Sequence, residues 1–473
     1  MATATTTTGS FSNRTKTIGF VLGLVLFLLM WFIPIEGLEP NQSRGLACIV
    51  LTGIFWIFMV FPFAYSGLLF LFIVVLFNIA PFPVAFSGFA QASVWMIVFS
   101  FILAKAIEKC GLGRRIGLII LNRFKKLSFP KLIITFFIIL FIGNVFVPSL
   151  GALVVLIIGL IQGILAALGL PTDKRTSFSA GLICFLGILG GVNGKSFVSG
   201  VLGNSIIVIM LEQLANTTIS WNQWFLTFLV MIPLPFVASY FYLVKKYKPE
   251  VDFNNPELYK KLKQDLKDLG PLRGNELITA ILFLFVLFLW VSKLGGISVQ
   301  MAAGVVSFMM LMPKVGVLDY DDFGKIQWGM FAFIGTTVSM GAIMSHIKVD
   351  MWLADKLMVF SVFNSDSYFV KAFALLIFIA VTRALMEGLA QIAFFVPVLL
   401  KMNILPPEKI AIILSCGTHI YQFPFQNAPM AISVGFGLVD VKDLVQYGFF
   451  ISLICIIQYS IGFAIGWPFI PGF

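Results

Sequence analysis

The chain has 473 residues, of which 59% are hydrophobic, 15% aromatic and only 11% charged, with 52 phenylalanines. A soluble globular chain carries about 45–50% apolar and about 25% charged residues, so this composition excludes a soluble enzyme, a disordered chain and a disulfide scaffold. Basic residues exceed acidic ones by 11; with a mean hydropathy of +1.01, that excess reads first as cytoplasmic loops and not as nucleic-acid binding. Cys48, Cys110, Cys184, Cys416 and Cys455 are scattered without metal-site or redox spacing and read as apolar filler.

The polar, lightly basic N-terminus leads into an apolar run from Ile18 to Ile33 with no small-residue cleavage site, which reads as a retained first span. Further spans are expected near 46–63, 65–81 and 93–109, each close to the about 20 residues that cross a bilayer. An amphipathic basic break follows, where Lys105, Lys109, Arg114, Arg115, Arg123, Lys125, Lys126 and Lys131 are opposed only by Glu108. Positive-inside bias puts this segment, and the basic-leaning stretch from Lys245 to Arg273, in the cytoplasm, with the N-terminus on the same side of a cell membrane. Between Leu132 and Pro171 the chain is uncharged, too long for one span, and interrupted at Gly143, Asn144, Pro148, Ser149 and Gly151. A re-entrant helical hairpin near 132–171 accounts for it, because non-helical backbone at that depth survives only against protein or a water-filled cavity. A glycine-rich stretch at 177–210 then reads as a broken helix, followed by a single span near 224–244.

The second half repeats the pattern with spans near 277–292, 298–312 and 328–345, a hairpin near 370–402, a broken helix near 408–437 and a last span near 447–467. The expected fold is therefore an all-α polytopic membrane protein of about 11 spans, with two inverted halves, 1–273 and 274–473. The segment starting at Pro148 aligns with that starting at Glu387, an offset of 239, which sets Asn144 opposite Arg383. Broken helices at matching places in inverted halves point to a midplane transport site.

Lys195, Arg383, Glu387 and His419 are ionisable groups within these interrupted blocks. Each of the charged ones costs roughly 2.5–3.5 kcal/mol at a bilayer centre, so all should face the protein interior or water. Arg383 and Glu387, four residues apart, fit an internal ion pair as well as an anion site. Gly194, Lys195 and Ser196 match the end of a phosphate loop, but Leu189 stands where its opening glycine belongs. His419 lies beside helix-breaking Pro424 and Pro429, and with Glu387 it supports a proton-linked mechanism as an alternative. No catalytic constellation is recognisable, so an enzyme is not expected.

Three segments carry a family likeness. Ser87 to Leu121 (SGFAQASVWMIVFSFILAKAIEKCGLGRRIGLIIL), Lys195 to Val208 (KSFVSGVLGNSIIV) and Phe423 to Gly437 (FPFQNAPMAISVGFG) resemble the divalent anion/sodium symporter family, especially its citrate, tartrate and plastid 2-oxoglutarate/malate translocator branch. The resemblance implies a homodimeric, elevator-type carrier of small di- or tricarboxylates, with a Ser-Asn-Thr signature at each hairpin tip that contacts carboxylate beside sodium sites. Here the tips read Ser149, Leu150, Gly151 and Gly388, Leu389, Ala390. Both amides and both threonine hydroxyls are absent, leaving Ser149 and Gly194 as sodium candidates. By position, Asn144, Ser149, Gly151, Asn193, Lys195, Ser199 and Asn204 in the first half, and Arg383, Glu387, Gln391, His419, Gln426 and Asn427 in the second, are the expected substrate-binding residues. Fixed cations in place of sodium ligands suggest exchange or proton linkage. Sodium symport, an inorganic oxyanion or monocarboxylate cargo, and a non-transporting metabolite sensor stay open as alternatives. The coupling ion is left between Na+ and H+, with no other cofactor expected.

Overall fold

A computed structural model describes residues 13–467 apart from 124–126, 147–149, 199, 249–252, 254–255, 293–296, 314–315, 327, 384–387 and 427. Among the described residues there are 23 α helices and no strand. The first run is α1 (Asn13–Phe32), α2 (Pro40–Ile57), α3 (Phe63–Leu76), α4 (Phe82–Ala85), α5 (Ala92–Cys110) and α6 (Leu112–Asn122). Punctuation follows local chemistry. Pro40 opens α2 where its missing N–H costs nothing, and the side chain of Gln42 accepts a hydrogen bond from the Glu39 N–H at 2.9 Å. Gly111 ends α5 at φ 79°, a left-handed turn that aims the basic α6 away from the span.

Next come α7 (Phe129–Phe146), α8 (Leu150–Ala167), α9 (Ser177–Gly194), α10 (Leu202–Ala215), α11 (Trp221–Leu229), α12 (Pro233–Lys246) and α13 (Pro256–Asp268). The second half carries α14 (Gly274–Ser292), α15 (Val299–Leu311), α16 (Tyr320–Gly324), α17 (Trp328–His346), α18 (Val349–Met358), α19 (Tyr368–Arg383), α20 (Gly388–Met402), α21 (Pro407–Thr418), α22 (Ala428–Gly435) and α23 (Val441–Ala464). Among the described residues, four helices (α1, α9, α17 and α23) are each long and apolar enough to cross a membrane. The span expected at 224–244 is instead two helices, α11 and α12, bent by 44°. Pro233 and Pro235 stand at the start of α12, and neither ring nitrogen can donate back to the preceding turn. Other apolar helices are shorter than a span, as α10 and α20 are. Helices also occupy part of the basic-leaning stretch from Lys245 to Arg273, as α13, and residues 349–358, which fall in no expected span, as α18.

Burial separates periphery from centre. In α9, 94% of the apolar window is buried, against 11% in α1, which packs chiefly on α2 and leaves its other faces for lipid. Around α9 the packing has a twofold logic. Helix α7 lies on α9 as α19 lies on α21, α8 lies on α22 as α20 lies on α10, and α9 meets α22 as α21 meets α10. Each first arm thus pairs with the other half's second arm, so the two broken stretches run antiparallel with their breaks side by side.

Ion pairs join residues at helix ends. Lys109 pairs with Asp319 (2.9 Å) and Asp322, Arg115 with Glu276 (2.6 Å), and Arg175 with Asp443 (2.8 Å) and Asp440 (3.1 Å). Tracing the expected topology puts all these positions on the same face, so part of the basic excess holds the two halves together there. Asp319 caps α16. The Asp322 N–H donating to its carboxylate, and then Lys109, hold it at about 2, below the ordinary 3.8. A carboxyl depressed in this way adds stability that is fully present above the unfolded value near 3.9 and is lost as pH falls through about 2. Asp319→Ala should therefore abolish the acid-dependent rise in hydrogen exchange at the Asp322 amide between about pH 4 and pH 2. An unchanged profile would refute the cap's role.

Candidate functional site

Two glycines and an asparagine build the meeting of the breaks. A Cβ on Gly191 of α9 would stand 2.5 Å from the ring of Tyr421 in the second break, so only glycine admits that aromatic. At Gly200 a Cβ would stand 2.5 Å from the carbonyl oxygen of Gly194, which lets the first break fold back on itself. Asn204, fully buried on α10, then fixes that loop. Its amide donates to the carbonyls of Lys195 (3.0 Å) and Phe197 (2.9 Å), and its oxygen accepts from the Ser415 hydroxyl of α21 at 2.8 Å. One side chain thus ties the first break to the second half.

In the second break, Gln426 does the equivalent work. Its side-chain oxygen accepts from the N–H groups of Gln422 (2.6 Å) and Phe423 (2.9 Å), and its amide donates to the Arg383 carbonyl at 2.9 Å. Arg383, at the end of α19 and 2% exposed, donates from its guanidinium to the Gln426 carbonyl. The same guanidinium stands 5.8 Å from the Tyr421 ring centre, and the His419 ring is 5.9 Å away on that tyrosine. Gly388 allows Arg383 to fold across the start of α20, since a Cβ there would meet the guanidinium carbon at 2.9 Å. Tyr421 is therefore the shared wall of Gly191, Arg383 and His419.

Lys195 takes a different direction. It ends α9 and is fully buried, yet its ammonium has no hydrogen-bond or carboxylate partner among the described residues. It lies 4.1 Å from the Tyr459 ring centre on α23 and 6.0 Å from that of Phe228 on α11, a cation–π seat. Asn144 donates to the Gly190 carbonyl at 3.4 Å and leaves its oxygen unused; Asn193 and Ser196 are buried with Nδ2 and Oγ unused. Gln391 on α20 spends its amide on the Ile379 carbonyl and the Thr382 hydroxyl, both at 2.7 Å, and its oxygen has no partner. Buried polar groups without partners cost about 1–3 kcal/mol each, so their concentration at the breaks marks where a ligand or water is needed.

Gly151 sits in the first turn of α8, and Gly194 closes α9 with its Cβ position 3.7 Å from the Asn144 amide. Ser149, Ser199, Glu387 and Asn427 lie outside the described residues, whereas Leu150 and Gly151 of the first tip open α8 and Gly388, Leu389 and Ala390 of the second open α20. Tyr421 and Ser415 belong to the site without having been singled out in the sequence, and Ser196, noted there only at the end of an incomplete phosphate-loop pattern, joins them. Ser415 had a signal, because it precedes His419 by one helical turn. Among the described residues, no group of three or more His, Cys, Asp or Glu side chains could hold a metal ion.

A family model described as the sodium:sulfate symporter transmembrane region matches residues 14–470. The chain belongs to that family. It is the divalent anion/sodium symporter family that the sequence resembles, so the protein is an integral multi-pass membrane transporter and not an enzyme. YflS of Bacillus subtilis, a candidate malate transporter by name, is 23% identical over 352 residues, 72% of either chain. The L-tartrate/succinate antiporter of Escherichia coli strain K12 is 22% identical over 393 residues, 79% of this chain and 78% of that one. The solved YdaH transporter of Alcanivorax borkumensis aligns with a TM-score of 0.47 at 13% identity, over 96% of this chain and 98% of that one. Among the described residues, the charged groups at the breaks are the cations Lys195 and Arg383.

Proposed function

We propose that this family member is a secondary active transporter that exchanges small di- or tricarboxylates without strict sodium coupling. One observation carries the reading. Lys195 is fully buried at the first break with no carboxylate partner among the described residues, an arrangement that a bound anion compensates. The tips that would supply sodium with amide and hydroxyl oxygens read Ser-Leu-Gly and Gly-Leu-Ala, which supports charge balance by side chains in place of bound sodium. Relatives named for malate and for tartrate/succinate support the carboxylate cargo. The crossed breaks and their mirrored neighbours support two inverted halves, divided near residue 273, in which hairpins and broken helices move together as an elevator. Ion pairs that the expected topology brings to one face support a cytoplasmic location for that face and for the N-terminus. By family resemblance the unit is a homodimer.

Counterflow of labelled malate into proteoliposomes, measured with sodium and with choline as the external cation, tests this. Equal rates are expected, and strict dependence on sodium would overturn the proposal.

A further inference from the structure

His419 ends α21, and only one of its ring nitrogens is used. Nδ1 lies 2.6 Å from the carbonyl oxygen of Ser415. A carbonyl oxygen offers only lone pairs, so Nδ1 carries the proton and donates it. The ring is 4% exposed, and the Arg383 guanidinium shares the Tyr421 wall with it, so the neutral ring is the form that fits. Nε2 is then a bare acceptor. It is buried and meets no donor among the described residues.

A second unpartnered acceptor belongs to the same half. The hydroxyl of Thr382 donates to the Phe378 carbonyl at 2.9 Å, so it can only accept from Gln391. That fixes the Gln391 amide nitrogen toward α19 and turns its oxygen away, unpartnered. Ile379, whose carbonyl also holds this amide, packs its side chain on Gly417, two residues before His419. The second half therefore holds two buried lone-pair groups without partners, His419 Nε2 and Gln391 Oε1, in addition to the Arg383 guanidinium.

A fully ionised, unsubstituted dicarboxylate offers only acceptors. It pairs with Arg383 but leaves His419 Nε2 facing lone pairs or nothing, and a buried acceptor left without a donor is penalised. A hydroxyl beside a carboxylate supplies the missing donor. Resting on the carboxylate reading above, we infer that His419 is a specificity-determining residue and that the transported anions are 2-hydroxy dicarboxylates, whose hydroxyl donates to Nε2. A site built around a substrate hydroxyl rejects the analogue lacking it far more strongly than a site that merely tolerates it.

Competition for labelled malate uptake in proteoliposomes by unlabelled malate, succinate and sulfate tests the inference. In the wild type, succinate should need at least about 10-fold more than malate for half-inhibition, the discrimination one hydrogen bond supplies. His419→Leu should bring the ratio within about threefold, chiefly by weakening malate, because a leucine side chain accepts nothing. His419→Gln, which keeps an acceptor, should retain a preference for malate, and it serves if the leucine variant fails to accumulate. Equal half-inhibition in the wild type, or an unchanged ratio in a transporting His419→Leu protein, would overturn the assignment. Uptake of sulfate with neither carboxylate competing would overturn the carboxylate reading itself.

Discussion

Replacing Arg383 with methionine is expected to lower counterflow by at least about 100-fold, the effect of roughly 2.7 kcal/mol. Arg383 is 2% exposed, and its guanidinium holds the Gln426 carbonyl, while the Gln426 amide returns a bond to the Arg383 carbonyl. The same Gln426 closes the turn through Gln422 and Phe423. Methionine matches the volume but leaves the Gln426 carbonyl buried without its donor, at about 1–3 kcal/mol, and removes the cation from the second break. Arg383→Lys keeps the charge without the planar fork, so it should recover only part of the rate. Rates are read per folded transporter, after size-exclusion recovery in detergent. Near-normal exchange by Arg383→Met would show that neither its charge nor its turn matters to transport.

Arg115→Met should be among the most destabilising single changes away from the breaks. Arg115 is 8% exposed and makes four bonds: Nε and Nη2 cross to Glu276 of the second half at 2.9 and 2.6 Å, while Nη1 to the Gly270 carbonyl at 2.7 Å and Nη2 to the Leu269 carbonyl at 2.9 Å stay within the first half. Truncation leaves the Glu276 carboxylate, itself only 16% exposed, without its cation. Breaking one side of a buried pair costs about 3–5 kcal/mol, and the residual exposure here argues for the lower figure. The thermal midpoint in detergent should fall by at least about 3 °C. Arg115→Met combined with Glu276→Leu should recover part of the loss, because no stranded charge remains. A double variant as unstable as the single one would mean that the carbonyl contacts within the first half, and not the pair, carry the stability.

Much of the architecture is visible in residue order because the breaks are written in glycine, proline and asparagine. Gly194 and Gly200 flank one break, Pro424 and Pro429 the other, and both reappear as gaps between helices. The bend at Pro233 was as legible by the same rule but is masked by the apolar run on either side, whose hydropathy does not change across it. The helices α13 and α18 are polar enough to resemble loops, and tertiary packing decides them: Asp350 of α18 is fully buried against the Ser345 hydroxyl at 2.6 Å. Partners are the least legible part. Arg115 and Glu276 are 161 residues apart, and no local pattern joins them. At the site, helical periodicity fails where a helix is broken. Nothing in the letters around Lys195 says that its ammonium turns to Tyr459, or that Tyr421 fills the space beside Gly191.

The bond between Asn204 and Ser415 spans 211 residues, and that separation has a bearing on how the protein is made. At about 5–20 residues per second, α10 leaves the ribosome roughly 10–40 s before α21 exists. For that interval the Asn204 oxygen has no Ser415 to satisfy it, and the notch at Gly191 awaits its tyrosine. A nascent first half inserted fully into lipid would carry a polar break into hydrocarbon with part of its hydrogen bonding missing, which bilayer chemistry does not tolerate. The early helices must therefore wait in a wet or escorted environment near the insertion machinery, and membrane integration is completed only when the second break arrives.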